Sequence, residues 1–293
     1  MAGQLKEVRN RIKSVQSTQQ ITKAMKMVSA AKLRRAQEAI LQMRPYARKL
    51  QEMLSNIVSN VAGGAGIKLA EERPVEKVLL IVITSDRGLS GAYNSNIVKL
   101  TKHTVAQKYS AQFGKGNVTV WNVGKKGWES LTRAGYKTRD TYRDIFHNLR
   151  FEMVQALSQA AMKAFENREF DAVELVYSEF KNAATQKFVV EQFLPIPKVP
   201  KKQGAKKADF IFEPDEEELI AVLMPKILNT QLYKAVLDAS ASEHGARMTA
   251  MDKASDNANE LLKTLRISYN RARQAAITTE LTEIVSGAAA LQG

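Results

Sequence analysis

The residues of this chain best placed to do chemistry are the glycines of TSDRGLSGAYN, Thr84 to Asn94, which follow a β-branched run and precede a helix-like stretch. Glycines at a strand-to-helix turn leave amide N–H groups free to cradle phosphate, so nucleotide binding is the chemistry to consider. The spacing completes neither phosphate signature, since G-x-G-x-x-G and G-x-x-x-x-G-K-[ST] are both absent. Gly88 and Gly91 with Ser90 between them do not make a nucleophile elbow. The segment therefore reads as a structural turn.

Other candidates for chemistry are sparse. The three histidines, His103, His147 and His244, have no ligand spacing, and with no cysteine in the chain a metal site is not expected. The carboxylates cluster only at Glu213 to Glu218, EPDEEE, where they open the last helix and are favoured by its macrodipole. No catalytic constellation and no cofactor site emerge. The absence of cysteine also rules out a disulfide framework, a thiolate nucleophile and a thiol switch.

The elements that would hold such a turn are those of a globular centre. Pro74, Pro195, Pro197, Pro200 and Pro214 fence residues 75–212 off from the two ends. Inside the fence, Lys77 to Thr84 (KVLLIVIT) reads as a strand buried on both faces. A helix over 94–109, a strand over 118–123, helices over 126–134 and 148–167, and strands over 172–178 and 186–193 follow. Strand and helix alternate, which predicts a mostly parallel, Rossmann-like α/β domain.

The two ends are of another kind. Gln4 to Ala62 contains no glycine and only Pro45; Lys226 to Ser286 contains no proline and only Gly245. At 1.5 Å per residue each is a helix on the order of 90 Å long. Leu5, Val8, Ile12 and Val15 step by 3, 4 and 3, and Met25, Val28, Leu33 and Ile40 carry the stripe on with a shifted phase. Met251, Ala254, Ala258, Leu261 and Leu265 form the matching stripe at the other end. Stripes this narrow are coiled-coil seams, and small seam residues, Ala254, Ala258, Ala272 and Ala275, favour a slender pair over a bundle of ordinary core helices. Pro45 should kink the first helix, and Gly245 should cost about 1 kcal/mol relative to alanine.

The expected fold class is thus α/β plus coiled coil: a long antiparallel two-helix coiled coil around a central α/β domain, with domains at 1–62, 75–212 and 213–293. Charge agrees with the pairing. Residues 1–60 hold 12 Lys+Arg against 3 Asp+Glu, net +9, and residues 213–293 hold 8 against 12, net −4. The whole chain carries +14, which invites nucleic acid as a partner. The basic N-terminal stretch offers only Tyr46 for base stacking, so an acidic protein surface answers the charge as well. Residues 198–207, KVPKKQGAKK, read as an exposed loop. The start of the chain has no signal-peptide core, and no run reaches the 18 or more apolar residues of a spanning helix.

Three stretches carry a family resemblance: IKSVQSTQQITKAMKMVSAAKLRRA (Ile12 to Ala36) with RPYA (Arg44 to Ala47), SDRGLSGAYN (Ser85 to Asn94), and ARMTAMDKASDNA (Ala246 to Ala258) with YNRARQAAITTELTEIVSGAAAL (Tyr269 to Leu291). Over essentially its whole length the chain resembles the gamma subunits of bacterial F-type ATP synthases. The resemblance implies a non-catalytic rotor, one copy per complex, standing inside three alpha and three beta subunits above epsilon and a membrane c-ring, at the cytoplasmic face of the inner membrane. It implies that Lys23, Met25 and Lys26 face acidic arms of beta and that Arg273 and Gln274 meet the catch loops of beta. It assigns Ile284, Val285, Ala288 and Leu291 to an apolar bearing, and Phe210, Phe212 and Glu213 to the contact with epsilon and the c-ring. Two rivals stand beside it: a nucleic-acid-tethering coiled coil, and an anion- or nucleotide-binding enzyme built on the central sheet.

Overall fold

The computed structural model describes residues 2–60, 68–183, 185–197 and 216–292; side chains 2–4, 48, 51–60, 216–221 and 290–292 are outside the description. The expected sites Phe210, Phe212 and Glu213, the lysine-rich 198–207 and the side chain of Leu291 therefore lie outside the described residues. The chain forms two compact units, one of Met1–Ser29 with Met248–Gly293 and one of Ala30–Arg247.

In the first unit, helix α1 (Ala2–Asn60) is represented by its first half and helix α6 (Glu216–Gln292) by its second half. The less exposed positions of α1 are Leu5, Val8, Ile12, Val15, Gln19, Thr22, Lys26 and Ser29, with Gln16 and Met25 beside them. On α6 they are Met251, Ser255, Ala258, Leu262, Leu265, Tyr269, Ala272, Ala276 and Thr279, with Asp252 and Ala254 beside them. Both series step by 3 and 4, the repeat of a two-helix seam. Four polar contacts fix direction and register: Arg9 donates to the Tyr269 hydroxyl at 2.8 Å, Gln19 meets Asn259, Thr22 and Ser255 share a hydroxyl bond of 2.7 Å, and Lys26 pairs with Asp252 at 2.5 Å. Moving up α1 by 10, 3 and 4 residues moves down α6 by 10, 4 and 3, so the helices run antiparallel.

Two expectations about the seam are corrected. Leu261 is 40 % exposed and its neighbour Leu262 is 6 % exposed, so the seam takes Leu262 in place of Leu261, and Ser255 is buried at the seam with Ala254 half-buried beside it. Ala276 rather than exposed Ala275 continues it. On α1 the phase does not shift. Val28 is exposed, and the heptad runs unbroken through Gln19, Thr22 and Ser29 to Leu33, Ala36 and Ile40. Apolar counting alone lost the seam where it turns polar. Helix α1 also continues through Pro45, and α6 through Pro225.

In the second unit, five strands, β1 (Val78–Ile83), β2 (Val118–Val123), β3 (Lys137–Arg139), β4 (Ala172–Phe180) and β5 (Gln186–Leu194), form one sheet in the order β3-β2-β1-β4-β5. All pairs are parallel except β4 with β5. Helices α2 (Tyr93–Lys108), α3 (Ser110–Gly114), α4 (Lys125–Arg133) and α5 (Phe151–Glu166) complete the alternation. Short β3 and α3 escaped the sequence reading, because three residues or a single turn carry no period.

β1 is buried throughout, and its residues alternate between two cores. Leu79, Ile81 and Ile83 pack with Val154, Leu157, Ala161 and Phe165 of α5 and with Met224 to Ala239 of α6. Val78, Leu80 and Val82 pack with Tyr93, Ile97 and Val105 of α2. A sheet covered on both faces explains the unbroken apolar run at its centre.

Leu262→Ala should destabilise the chain by about 2 to 4 kcal/mol, whereas Leu261→Ala should stay within about 1 kcal/mol. Denaturant melts of the two variants side by side check the seam; equal losses would contradict it.

Candidate functional site

The turn after β1 is built for rigidity. Buried Thr84 donates its amide to Val123 O at 2.8 Å and accepts the Gly127 N–H on its hydroxyl at 2.8 Å. Gly124, at φ 98°, lies so close that a Cβ there would stand 2.3 Å from the Thr84 carbonyl oxygen, which demands glycine twice over. The Ser85 N–H donates to Asn94 Oδ1 at 3.0 Å, and the Asn94 amide reaches the Ser90 hydroxyl at 3.2 Å. Leu89 and Gly91 both take left-handed backbone, φ 63° and 59°.

This turn and the end of β4 flank the place where the strand order reverses, since β1 connects toward β2 on one side while β4 lies on the other. Open α/β sheets hold their ligands in that crevice. Here a segment of α6 fills it. The Tyr93 hydroxyl donates to Ala239 O at 3.0 Å, Ser242 Oγ donates to Ser178 O at 3.1 Å, and Arg247 Nη2 donates to Arg87 O at 3.0 Å and Gly88 O at 3.3 Å. Gly245 is the only α6 position between them without a side chain. A Cβ there would come within 3.2 Å of the Ala183 backbone in the β4–β5 turn. The turn that sequence offered as a phosphate cradle uses its carbonyls to grip a helix of its own chain.

Charge secures this seat. Arg247 Nη1 pairs with Glu243 Oε1 at 2.5 Å, both side chains more than nine-tenths buried. Burial pushes the Glu243 carboxyl upward against the opposing pull of Arg247. Burial, with the nearby Arg247 and Lys32 cations, pushes His244 down to about 4. One turn earlier, burial raises Asp238 to about 6; Lys234 and Arg44 oppose the rise, and Glu179 and Glu191 add to it. Buried pairs of this kind fix geometry more than they add stability, because desolvation offsets most of the attraction.

The helix pair presents the other candidates. Lys23 is exposed, Met25 half-buried, and Lys26 half-buried in its pair with Asp252. Arg273 and Gln274 are exposed on α6, and Ala288 with them. Ile284 and Val285 are 67 % and 66 % exposed. By the register above, α6 runs past the first residues of α1 for about four turns, and from Glu280 to Ala289 every residue is exposed. Ile277 and Leu281 extend the apolar stripe of this overhang. The structure thus joins Ile277, Leu281, Ile284, Val285 and Ala288 on one helix but does not bring them near Lys23.

The sequence reading missed Tyr93, Glu243 and Arg247. For Glu243 and Arg247 the signal was present in SEHGAR: an acid and an arginine four apart on a helix, on either side of Gly245. No group of three or more His, Asp or Glu residues able to hold a metal occurs among the described residues, and no helix among them is long and apolar enough to cross a membrane.

A sequence model of the ATP synthase family matches residues 4–291. The ATP synthase gamma chain of Cytophaga hutchinsonii is 52% identical over 290 residues, 98% of this chain and 98% of its own length. That of Flavobacterium johnsoniae is 51% identical over 289 residues, 99% of both chains. Among solved structures, a chain of the central stalk and c-ring of the Tetrahymena thermophila mitochondrial ATP synthase is 26% identical with a TM-score of 0.57, over 80% of this chain and 99% of that one. A chain of the Euglena gracilis mitochondrial ATP synthase, 19% identical with a TM-score of 0.66 over 99% and 95%, shares the fold. The nucleic-acid-tethering reading finds no support among these relatives.

Gly245→Ala should gain less than the helix-propensity increment of about 1 kcal/mol, because its Cβ would crowd the Ala183 backbone at 3.2 Å, whereas Gly287→Ala, with open space around it, should show the full increment. Thermal melts of both variants check the close approach. Asp238 has its folded value above its unfolded one, so its contribution to stability is complete below about pH 4 and is lost as pH rises through about 6; His244 has the opposite sign, losing its contribution as pH falls from 6.5 through about 4. Asp238→Asn should therefore raise stability by about 1 kcal/mol or more at pH 7 and by little at pH 4. Melting curves at the two pH values, with an equal shift at both, would overturn that assignment.

Proposed function

The chain belongs to the gamma-chain family of the ATP synthases, and on that footing we propose that it is the central-stalk rotor subunit of a proton-translocating F-type ATP synthase. It couples rotation of the membrane c-ring to ATP synthesis or hydrolysis on the beta subunits. One copy stands within three alpha and three beta subunits, with epsilon and the c-ring below, peripheral to the cytoplasmic face of the bacterial inner membrane. It has no active site of its own. Its parts divide the work as residues 1–62 and 213–293 for the coiled coil and 75–212 for the domain above the c-ring.

The observation that carries this reading is the overhang of α6. A single helix with an apolar stripe is marginal in water, and exposed apolar stripes mark interaction surfaces. Such a helix fits an apolar sleeve that holds no particular side chain, which is what a bearing requires; Ile284, Val285, Ala288 and Leu291 form it. The register-locked pair behind it carries torque. α6 seated in the crevice of the sheet leaves a mechanical fastening where an enzyme of this fold keeps its ligand.

Coupling follows from differential contact. An asymmetric rotor that touches three beta subunits differently stabilises a different nucleotide affinity in each, and only such a difference can shift their equilibria. Lys23 and Met25 offer themselves to the acidic arms of beta. Lys26 does so in competition with Asp252, and the internal pair, open to water on both sides by nearly half, is weak enough to exchange. Arg273 and Gln274, both free of the seam, hydrogen-bond the catch loops of beta. Phe210, Phe212 and Glu213 form the contact with epsilon and the c-ring.

Because the chain contains no cysteine, a Lys23→Cys variant joined by a disulfide to a cysteine on the acidic arm of beta gives a clean test. ATP synthesis and hydrolysis by the complex should stop on oxidation and return on reduction, and undiminished turnover while joined would sink the rotary role. Arg273→Ala should leave the melt of the isolated chain within about 0.5 kcal/mol and lower ATP synthesis by the assembled complex severalfold.

A further inference from the structure

Glu174 of β4 is a carboxylate on the sheet face that carries Leu80, Val82 and Val176, where the other polar side chains, Asn122, Ser178 and Gln192, are uncharged. Its side chain is only 3 % exposed. It lies opposite Leu80 of β1 and Gln192 of β5, at a bulge where β5 shifts register between Val173 and Glu174; bulges re-aim side chains and recur beside functional sites. One oxygen, Oε1, accepts from the Tyr109 hydroxyl at 2.8 Å and from the Lys108 ammonium. The other, Oε2, is buried with no hydrogen-bond partner. Leaving a buried charged acceptor unpaired is costly, and β4 places apolar Ala172 and Val176 on either side of it on the same face, so the fold does not require an acid there.

The donors around Glu174 are committed elsewhere. Arg73 donates to Asp171 at 2.8 Å and to the carbonyls of Phe165 and Phe170 at 2.8 and 2.6 Å. The Gln192 amide donates to Pro195 O at 2.7 Å. Glu174 lines a cleft of about 310 Å³ together with Glu72, Arg73, Lys108, Tyr109 and Asp171. The cleft holds three acids against two bases on a chain whose net charge is +14. Lys108, more than half exposed, is the side chain that can swing aside. Burial and the neighbouring carboxylate push the Tyr109 phenol upward, so it stays a donor and can add nothing to Oε2.

We propose that this cleft is a binding site for one cationic nitrogen donor, an ammonium or guanidinium group, which displaces Lys108 and completes the coordination of Glu174. The group arrives either on a free small amine or as a lysine or arginine side chain of a partner protein; the chemistry of the site is the same for both.

The test is a titration of the full-length chain with methylammonium and methylguanidinium chloride, with sodium chloride at matched ionic strength as the control, read on the Tyr109 side-chain NMR signals. The expected result is a saturating shift with the organic cations alone. Glu174→Gln should weaken it about tenfold or more, the loss of a charge-assisted hydrogen bond, and Lys108→Ala should strengthen it by removing the internal competitor. A purely structural Glu174 would not produce that gain, and Lys108→Ala keeps the question answerable should Glu174→Gln fail to fold. Saturation that persists in the assembled complex identifies a free amine; saturation lost on assembly identifies a partner's basic side chain. No saturating shift in either the natural chain or Lys108→Ala, or equal affinity in Glu174→Gln, would overturn the proposal.

Discussion

The antiparallel seam between α1 and α6 is the constraint on which the rest of the molecule depends. Two helices alone make a thin core, so the hydrophobic effect along Ile12, Leu262 and Leu265 supplies adhesion but little registration. Registration comes from polar pairs. A slip of one heptad would set Thr22 against Leu262 rather than Ser255 and lose the bond between the two hydroxyls, each of which keeps a carbonyl of its own helix, Gln19 O and Met251 O, so the cost is that of one hydrogen bond, about 0.5 to 1.5 kcal/mol. Thr22 with Ser255, Gln19 with Asn259, and Lys26 with Asp252 together make one alignment the lowest in energy. A rotor whose helices slid along each other would dissipate torque, so the polar stretch of the seam serves function at some expense in stability.

The second fixed point is the seat of α6 on the sheet. A doubly covered α/β sheet exposes one concave place, at the reversal of strand order, and this fold fills it with Ala239, Ser242, Gly245 and Arg247. The Arg247–Glu243 pair lies buried there, and the left-handed backbone at Leu89 and Gly91 turns the Arg87 and Gly88 carbonyls toward it. The conformational strain of the turn is small beside what it secures, a rigid joint made of backbone oxygens and one guanidinium. The same scaffold that elsewhere grips a phosphate with amides here grips a cation with carbonyls.

Much of this was legible in the residues. KVLLIVIT announced a strand covered on both faces, and the alternation behind it announced a parallel sheet, because apolar periodicity reports burial directly. The two glycine-poor ends announced long helices, and their opposite charges announced each other. The seam was legible only where it is apolar. From Gln19 to Ser29 its positions are an amide, two hydroxyls and the Lys26 ammonium, whose burial depends on a partner far away in sequence, and so apolar counting reads a change of phase there; the same blindness put Leu261 in the place of Leu262.

The sequence by itself determined the class of each element, the pairing of the ends and the family, since these follow from local pattern and from motifs such as YNRARQAAITTELTEIVSGAAAL. Only the tertiary structure decided what the turn at Gly88 does, why a side chain at Gly245 would crowd Ala183 and which leucine faces the partner helix. Each of these rests on contacts between residues from tens to more than two hundred positions apart, such as Gly88 with Arg247 and Thr22 with Ser255. The energy of such a contact is set by distance and burial in space, and no local spacing encodes either.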